Sequence, residues 1–214
     1  MKLILGNKNY SSWSLRPWIA MRNAGITFEE EVIPLYEAGS AERILKYSPT
    51  GKVPVLVDGD ITVWESLAIL EYVAEKFPNA ELWPSDLKAR AHARAISAEM
   101  HAGFVPLRRQ CPMNMRRESR PLELTAEVVA NVRRIEEIWT DTRARFGQSG
   151  PFLFGAFGAA DAMYAPIVSR FASYAIEVGA VSEAYMQAVM ALPAWIEWRD
   201  AGFAESWVMP NNEV

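Results

Sequence analysis

Asn9-Tyr10-Ser11-Ser12-Trp13-Ser14-Leu15-Arg16-Pro17-Trp18 follows a short apolar run, Leu3-Ile4-Leu5, and leads into Ile19-Ala20-Met21 and a glycine at Gly25. The apolar run reads as a strand. Ser14 to Ala24 reads as a helix, with Pro17 tolerated in its first turn and Gly25 closing its end. Three serines therefore stand where a strand hands over to a helix. Free backbone N–H groups and the positive end of the helix dipole meet at such a point. Hydroxyls there either cap the helix or face an anion that the same N-terminus attracts. Alone, a Ser-Ser pair reads as a cap. Two pieces downstream change that reading: Lys52-Val53-Pro54-Val55-Leu56 and Glu65-Ser66-Leu67-Ala68-Ile69-Leu70-Glu71-Tyr72.

Outward from the serines, the first 78 residues mix element types. Thr27 to Pro34 alternates through Phe28, Glu30 and Val32 as a second strand. Gly39 to Lys46 reads as a short helix and Ser48-Pro49-Thr50-Gly51 as a loop. Val53 to Val57 and Ile61 to Trp64 form a hairpin about Asp58-Gly59-Asp60. Glu65 to Lys76 places Leu67, Ile69, Leu70 and Val73 at helical spacing. The order is βαβ, then αββα. Residues 79–87, with Leu82-Trp83-Pro84, read as a linker. From residue 88 to 214 no segment reads as a strand. Leu87 to about Arg109 is helical, with Pro106 expected to kink or end it. Gln110 to Leu122, with two prolines and three arginines, fits no element. Thr125 to Phe146 is an amphipathic helix, and Ala159 to Ile176 is apolar enough to be a core helix. Ser182 to Met190 and Pro193 to Gly202 close the chain.

Composition narrows the function classes. Half of the 214 residues are hydrophobic and 22% are charged, which supports a sizeable core. The net charge of −4 argues against a nucleic-acid partner. Arg108, Arg109, Arg116, Arg117 and Arg120 form a local basic cluster, read as a solvated face. The single cysteine, Cys111, excludes an internal disulfide, and no His/Cys cluster suggests a metal. No apolar run nears the ~18 residues a membrane span needs, and Met1 to Gly6 is too short for a signal peptide, so the expected setting is cytoplasmic.

In this order the three motifs resemble the cytosolic glutathione transferases over nearly the whole chain. Ser11-Ser12-Trp13-Ser14-Leu15-Arg16 is similar to the Ser-Ser-Cys-x-x-Arg stretch of the zeta class. Val53-Pro54-Val55-Leu56 resembles the family's Val-Pro-x-Leu, whose proline is cis, and Glu65-Ser66-Leu67-Ala68-Ile69 resembles its (Glu/Gln)-Ser-x-Ala-Ile motif. The resemblance implies a thioredoxin-like domain over 1–78 and an all-helical domain over 88–214. It implies glutathione as co-substrate, a small hydrophobic electrophile and a homodimer. Trp13, Lys52, Val53, Pro54, Glu65 and Ser66 become the glutathione-binding set, and Ser11 and Ser12 the candidates for activating its thiol. The Val53 backbone would pair with the tripeptide like an added strand. Ser66 would hold the γ-glutamyl carboxylate and Glu65 the ammonium. Lys52 either reaches the glycyl carboxylate or stays exposed. Spacing to Arg16 favours Ser11, with Ser12 second.

Departures from the pattern matter as well. Trp13 replaces the motif's cysteine, so mixed-disulfide chemistry is not expected. Cys111 reads as a small buried hydrophobe. Arg16 is expected to act structurally across the domain junction. Phe157-Gly158-Ala159-Ala160-Asp161 resembles the family's helix-capping box, giving Asp161 a folding role. Tyr10, Trp13, His101, Phe104 and Arg108 are candidates for the electrophile pocket, and Arg170 for an acidic substrate. His101 reads as a packed or solvated side chain. Two other functions compete: cis–trans isomerisation of a maleyl-type diacid by reversible thiol addition, and a non-catalytic binding module.

Overall fold

The computed structural model describes residues 1–214. Four strands form one sheet in the order β2-β1-β3-β4. They are β1 (Lys2–Leu5), β2 (Glu29–Val32), β3 (Val55–Asp58) and β4 (Ile61–Trp64). β2 runs parallel to β1, whereas β3 is antiparallel to both β1 and β4. A parallel pair cannot close through a hairpin, so α1 (Ser12–Asn23) serves as the crossover between β1 and β2. The two-residue period of β1 sorts its side chains. Leu3 and Leu5 join the large core with Leu15 and Ile19 of α1. Ile4 turns the other way, to Ile33, Ile44 and Val55, the small cluster closed by α2 (Ser40–Leu45). α3 (Ser66–Lys76) buries Ile69, Leu70 and Val73. β3 begins at Val55 rather than at Val53, because Pro54 has no N–H to give a ladder.

A 3-10 turn at Pro78–Ala80 ends this domain, and the rest of the chain is helical. The helices are α4 (Leu87–Ala102), α5 (Val105–Gln110), α6 (Ala126–Phe146), α7 (Ala159–Ser173), α8 (Ala180–Met190) and α9 (Pro193–Ala204). The break expected at Pro106 comes earlier. Phe104 takes φ 57 directly after Gly103, and Pro106 then lies in the first turn of α5, where a missing N–H is tolerated. α7 is buried from Ala159 through Phe171, and it packs against α1, α4 and α8. Trp139 of α6 meets the rings of Tyr164, Phe171 and Tyr185 with centroids at 5.9, 5.5 and 4.8 Å. At the head of α7 the Asp161 carboxylate accepts from Gly158 N at 2.9 Å and Leu153 N at 3.0 Å, the folding role read for it. One hydrophobic cluster runs from Leu3 to Trp198 through both domains, so the serine-bearing α1 is locked between the sheet and the bundle.

Candidate functional site

The serines lie at the head of α1, and the three have separate jobs. Ser11 is the N-cap: its Oγ accepts from Ser14 N at 3.4 Å and donates to Ser14 Oγ at 2.8 Å. Ser14 Oγ in turn accepts from Gly6 N at 3.0 Å, which ties the cap to the end of β1. Ser12 is the first helical residue, and its hydroxyl makes no hydrogen bond within the chain. Ser11 is 6% exposed, Ser12 9% and Ser14 0%, and Ser12 lines a cavity of about 420 Å³. The helix starts at Ser12, two residues before the expected start. Pro17 therefore sits in the second turn and leaves the Trp13 carbonyl without its intrahelical donor.

The loop before these serines is held from two distant parts of the chain. The Glu205 carboxylate accepts from Lys8 N at 2.6 Å and Asn9 N at 3.0 Å. Asn9 donates its Nδ2 to Asn114 Oδ1 at 2.9 Å, and its Oδ1 accepts from Arg116 N at 2.9 Å. Arg116 also donates to the Tyr10 hydroxyl and the Trp207 carbonyl, each at 2.7 Å, and to the Glu205 carbonyl. Tyr10 donates its own hydroxyl proton to Glu213. Gln110 to Leu122, which fitted no element, is thus the irregular segment that braces the serine loop. Cys111, Met113, Asn114 and Met115 on it are buried, and burial pushes the Cys111 thiol up to about 11. Of the arginine cluster read as a solvated face, Arg116 and Arg117 are woven into this brace, whereas Arg109 and Arg120 are exposed. Nothing in sequence spacing ties Asn9 to Asn114 or Glu205, because the partners lie about one and two hundred residues away.

Two cavities of about 420 Å³ each meet at Trp13 and Arg108. That volume is in the range of ~300–1,000 Å³ common for small-molecule sites. The first is lined by Lys52, Val53, Pro54 and Glu65, together with Thr50 and Trp64. The Val53–Pro54 peptide is cis, and no backbone hydrogen bond engages Val53. Glu65 holds φ 68 and ψ 125 at the head of α3, and no side chain caps that helix. Ser66 is buried directly behind it, with its Oγ accepting from Arg16 Nη1 at 3.4 Å. Lys52 is exposed on the rim. The second cavity carries Ser12, with Tyr10, Met113 and Arg170 around it. Five of the six residues expected to hold glutathione therefore line one cleft, Ser66 stands behind it, and Ser12 opens on the adjoining cavity. Thr50 and Trp64 were not anticipated, since a turn tetrad and the last residue of an edge strand carry no chemical pattern. A larger cavity of about 630 Å³ at the linker shares no lining residue with either.

Positive charge collects at the wall between the cavities. The guanidiniums of Arg16 and Arg108 lie 4.1 and 5.1 Å from the Trp13 ring centroid. His101 meets Trp13 edge-on at 5.1 Å, and its Nε2 is 3.5 Å from Glu65 Oε2. Burial, then the nearby Arg16, pushes His101 down, so it is neutral at pH 7. His101 is thus packed at the site rather than solvated. Burial, followed by the Arg170 and Arg108 charges, pushes Arg16 down to about 9. Arg170 falls to about 10, first through burial and then through Arg108. No carboxylate pairs with Arg16, Arg108 or Arg170, whereas Arg22, Arg94, Arg134, Arg145 and Arg199 on the surface all form ion pairs. The contacts of Arg16 stay within the first domain instead of crossing the junction: it stacks on Trp13 and donates to Ser66 Oγ. No group of three His, Cys, Asp or Glu side chains is placed to hold a metal, and no helix is long and apolar enough to cross a membrane.

Comparison with known proteins bears on the same two regions. Residues 10–76 match the glutathione S-transferase N-terminal domain, and residues 122–201 match the C-terminal domain. Glutathione S-transferase 1 of Dianthus caryophyllus is 36% identical over 114 residues, 53% of this chain and 52% of the relative. A probable maleylacetoacetate isomerase of Caenorhabditis elegans is 38% identical over 97 residues, 45% of this chain and 44% of the relative. The chain thus spans about half the length of these curated relatives. A glutathione transferase homolog from Burkholderia GL BGR1, solved with bound glutathione, superposes with a TM-score of 0.73 over 95% of this chain and 98% of that one. At 20% identity that likeness is one of fold. With one domain model on the sheet and its companion on the helical bundle, the chain belongs to the glutathione S-transferase family.

Proposed function

We propose that this protein is a glutathione transferase in which the Ser12 hydroxyl, at the head of α1, holds the glutathione thiolate. The observation that carries this reading is the one uncommitted serine hydroxyl, opening on a cavity that meets the Val53–Glu65 cleft at Trp13. The cleft fits the tripeptide group by group. Val53 offers an unpaired backbone N–H and C=O, as an added strand needs. The uncapped start of α3, at Ser66, suits the γ-glutamyl carboxylate, and Glu65 suits the ammonium. Lys52 on the rim suits the second carboxylate. A cysteinyl thiol has an unperturbed pKa of ~8.5, so only a few per cent is thiolate at neutral pH. A hydroxyl donor and the dipole of α1 favour the anion. The thiol proton leaves to solvent. The sulfur pair then forms the S–C bond, and the leaving group departs with its own bonding pair. Ser12 is a hydrogen-bond donor throughout and forms no bond to substrate. The reading includes a homodimer in the cytoplasm, and Trp64 and Ile61, both exposed on β4, are apolar surface suited to such an interface.

Glutathione binding by calorimetry, with thiolate absorbance followed against pH, tests the assignment. Ser12→Ala should bind glutathione within about threefold of wild type and lose most of the thiol shift. A loss of two pKa units corresponds to ~2.7 kcal/mol and cuts the thiolate fraction at pH 7 from about three quarters to about three per cent, roughly 25-fold in turnover. If wild type does not bind glutathione, the transferase reading is wrong. If Ser12→Ala keeps the shift, Ser12 is not the donor.

A further inference from the structure

The cavity of about 630 Å³ at the linker lies where the chain from Pro78 to Asp86 passes the end of α6 and the starts of α4 and α7. Thiol chemistry at the head of α1 makes no use of it. Trp83, Phe146 and Phe154 give it aromatic walls, and the last two stack with centroids 5.5 Å apart. Trp83 is 9% exposed, and its indole Nε1–H is shut off from water with no acceptor. Buried donors are ordinarily paired, so this wall carries a hydrogen bond that the chain leaves unmade.

Charge at the mouth is one-sided. Glu81 and Asp86 line the cavity, both are exposed, and neither forms an ion pair. Asp86 Oδ1 accepts from Ala89 N at 2.8 Å and caps α4, while Oδ2 makes no hydrogen bond. The cation beside them, Arg90, is turned to neutral acceptors: its Nη1 donates to the Pro84 carbonyl at 3.0 Å and the Ser85 carbonyl at 2.6 Å. Asp161 on the inner wall is already held by Leu153 N and Gly158 N. Glu81 also takes φ 46, a region side chains seldom adopt, and such backbone collects where ligands bind.

We infer that the linker cavity binds a small aromatic molecule bearing an ammonium group. Its flat ring packs against Trp83, Phe146 and Phe154, as aromatic pairs favour. An oxygen acceptor on it takes the Trp83 Nε1–H. The ammonium meets Glu81 and Asp86 at the mouth through charge-assisted hydrogen bonds. The cavity volume lies in the ~300–1,000 Å³ range of small-molecule sites. An anion of the same shape would meet two carboxylates, so preference for the cation separates this site from a merely apolar hollow. The inference is independent of the transferase reading, because the cavity shares no lining residue with the glutathione cleft or the Ser12 cavity.

Two fluorescent dyes make the test. Dansylcadaverine and dansyl-6-aminohexanoate share the naphthalene ring, the sulfonamide oxygens and the length of the carbon chain. One ends in an ammonium, the other in a carboxylate. Wild type should bind dansylcadaverine saturably and about tenfold more tightly than the carboxylate dye. Glu81→Gln combined with Asp86→Asn removes both charges and keeps the cap, since asparagine caps a helix as well as aspartate does. That variant should lose about tenfold with dansylcadaverine and nothing with dansyl-6-aminohexanoate. Trp83→Phe keeps a ring, removes the donor and should weaken both dyes by the same factor. Ala156, exposed on the cavity wall, offers a variant that leaves the core alone: Ala156→Trp fills the space and should abolish binding of both dyes. Failure of wild type to bind dansylcadaverine would overturn the proposal. So would equal affinity for the two dyes, full affinity in the charge or Trp83 variant, or binding that survives Ala156→Trp.

Discussion

At the start of α7 the Asp161 side chain turns back and fills the helix end, accepting from Gly158 N and Leu153 N in a fully buried pocket. At the start of α3 no side chain does this, and Glu65 is held at φ 68 beside an open cleft. Both are helix N-termini with the same orphan N–H groups and the same dipole. One is closed by its own chain, the other left for something else to close. The closed end stabilises the fold. The open end costs stability, both in unsatisfied donors and in an unfavourable backbone, and such costs collect where a ligand completes the structure. Charge follows the same division: the buried Asp161 has its donors, whereas the buried Arg16 and Arg170 have no carboxylate.

The largest effect should come from breaking the closed end. Asp161→Ala leaves two buried N–H groups without an acceptor, a loss of roughly 2–6 kcal/mol at 1–3 kcal/mol for each. Urea unfolding should show that loss while glutathione affinity of the folded fraction stays within about twofold. The effect should also depend on pH. Burial raises Asp161 to about 6, against an opposing pull from the Leu153 and Gly158 donors. In the unfolded chain an aspartate titrates at ~3.9. A folded value above the unfolded one gives stability that is full below ~3.9 and is lost as pH rises through 6. The gap between wild type and Asp161→Ala should therefore narrow between pH 4 and pH 7. A gap that widened with pH would mean that the two backbone donors outweigh burial.

Opening the comparison from the other side gives a smaller stability effect of opposite sign. Glu65 occupies a φ that side chains rarely adopt and glycine adopts freely. Glu65→Gly should stabilise the protein by about 1 kcal/mol, because strain of this kind costs ~1–3 kcal/mol and glycine returns part of it as chain entropy. The same change removes the carboxylate proposed for the glutathione ammonium and should weaken binding about tenfold. Stability up with affinity down is the outcome expected of an end shaped for a ligand. If both fell, Glu65 would be a structural cap like Asp161.

How much of this could be read from the chain depended on how local the cause was. Strands, helices and the 158–161 cap follow from periodicity and from residues three or four apart. The Val53–Pro54 and Glu65–Ser66 pairs are short motifs whose neighbours are fixed by one turn each. Gln110 to Leu122 could not be placed, because its order comes from Asn9, Tyr10 and Ser173 rather than from its own spacing. Glu205 shows the same limit: its partners are Lys8 and Asn9, and an acid after the last helix has no sequence signature. The break between α4 and α5 lies ahead of Pro106, the residue that signals it in the sequence. The turn was made instead by Gly103, where an added Cβ would sit 2.7 Å from the Glu99 carbonyl oxygen.

Ser11 and Ser12 set the comparison at its finest scale, since adjacent residues of one type stand on the closed and open sides of a single helix end. Spacing to Arg16 favours Ser11, but its hydroxyl is already spent on Ser14. Ser11→Ala should therefore behave as a lost cap, destabilising the protein by about 1 kcal/mol. Glutathione affinity and the bound thiol's pKa should stay at their wild-type values. Thermal unfolding and thiolate absorbance, run on this variant beside Ser12→Ala, give two readouts that should move in opposite variants. If Ser11→Ala instead abolished the thiol shift, its hydroxyl would have to leave Ser14 when glutathione binds. Spacing would then be a better guide to the donor than the resting hydrogen bonds. If both variants kept the shift, the stabilising term would be the α1 dipole itself, and the two serines would both belong to the closed class.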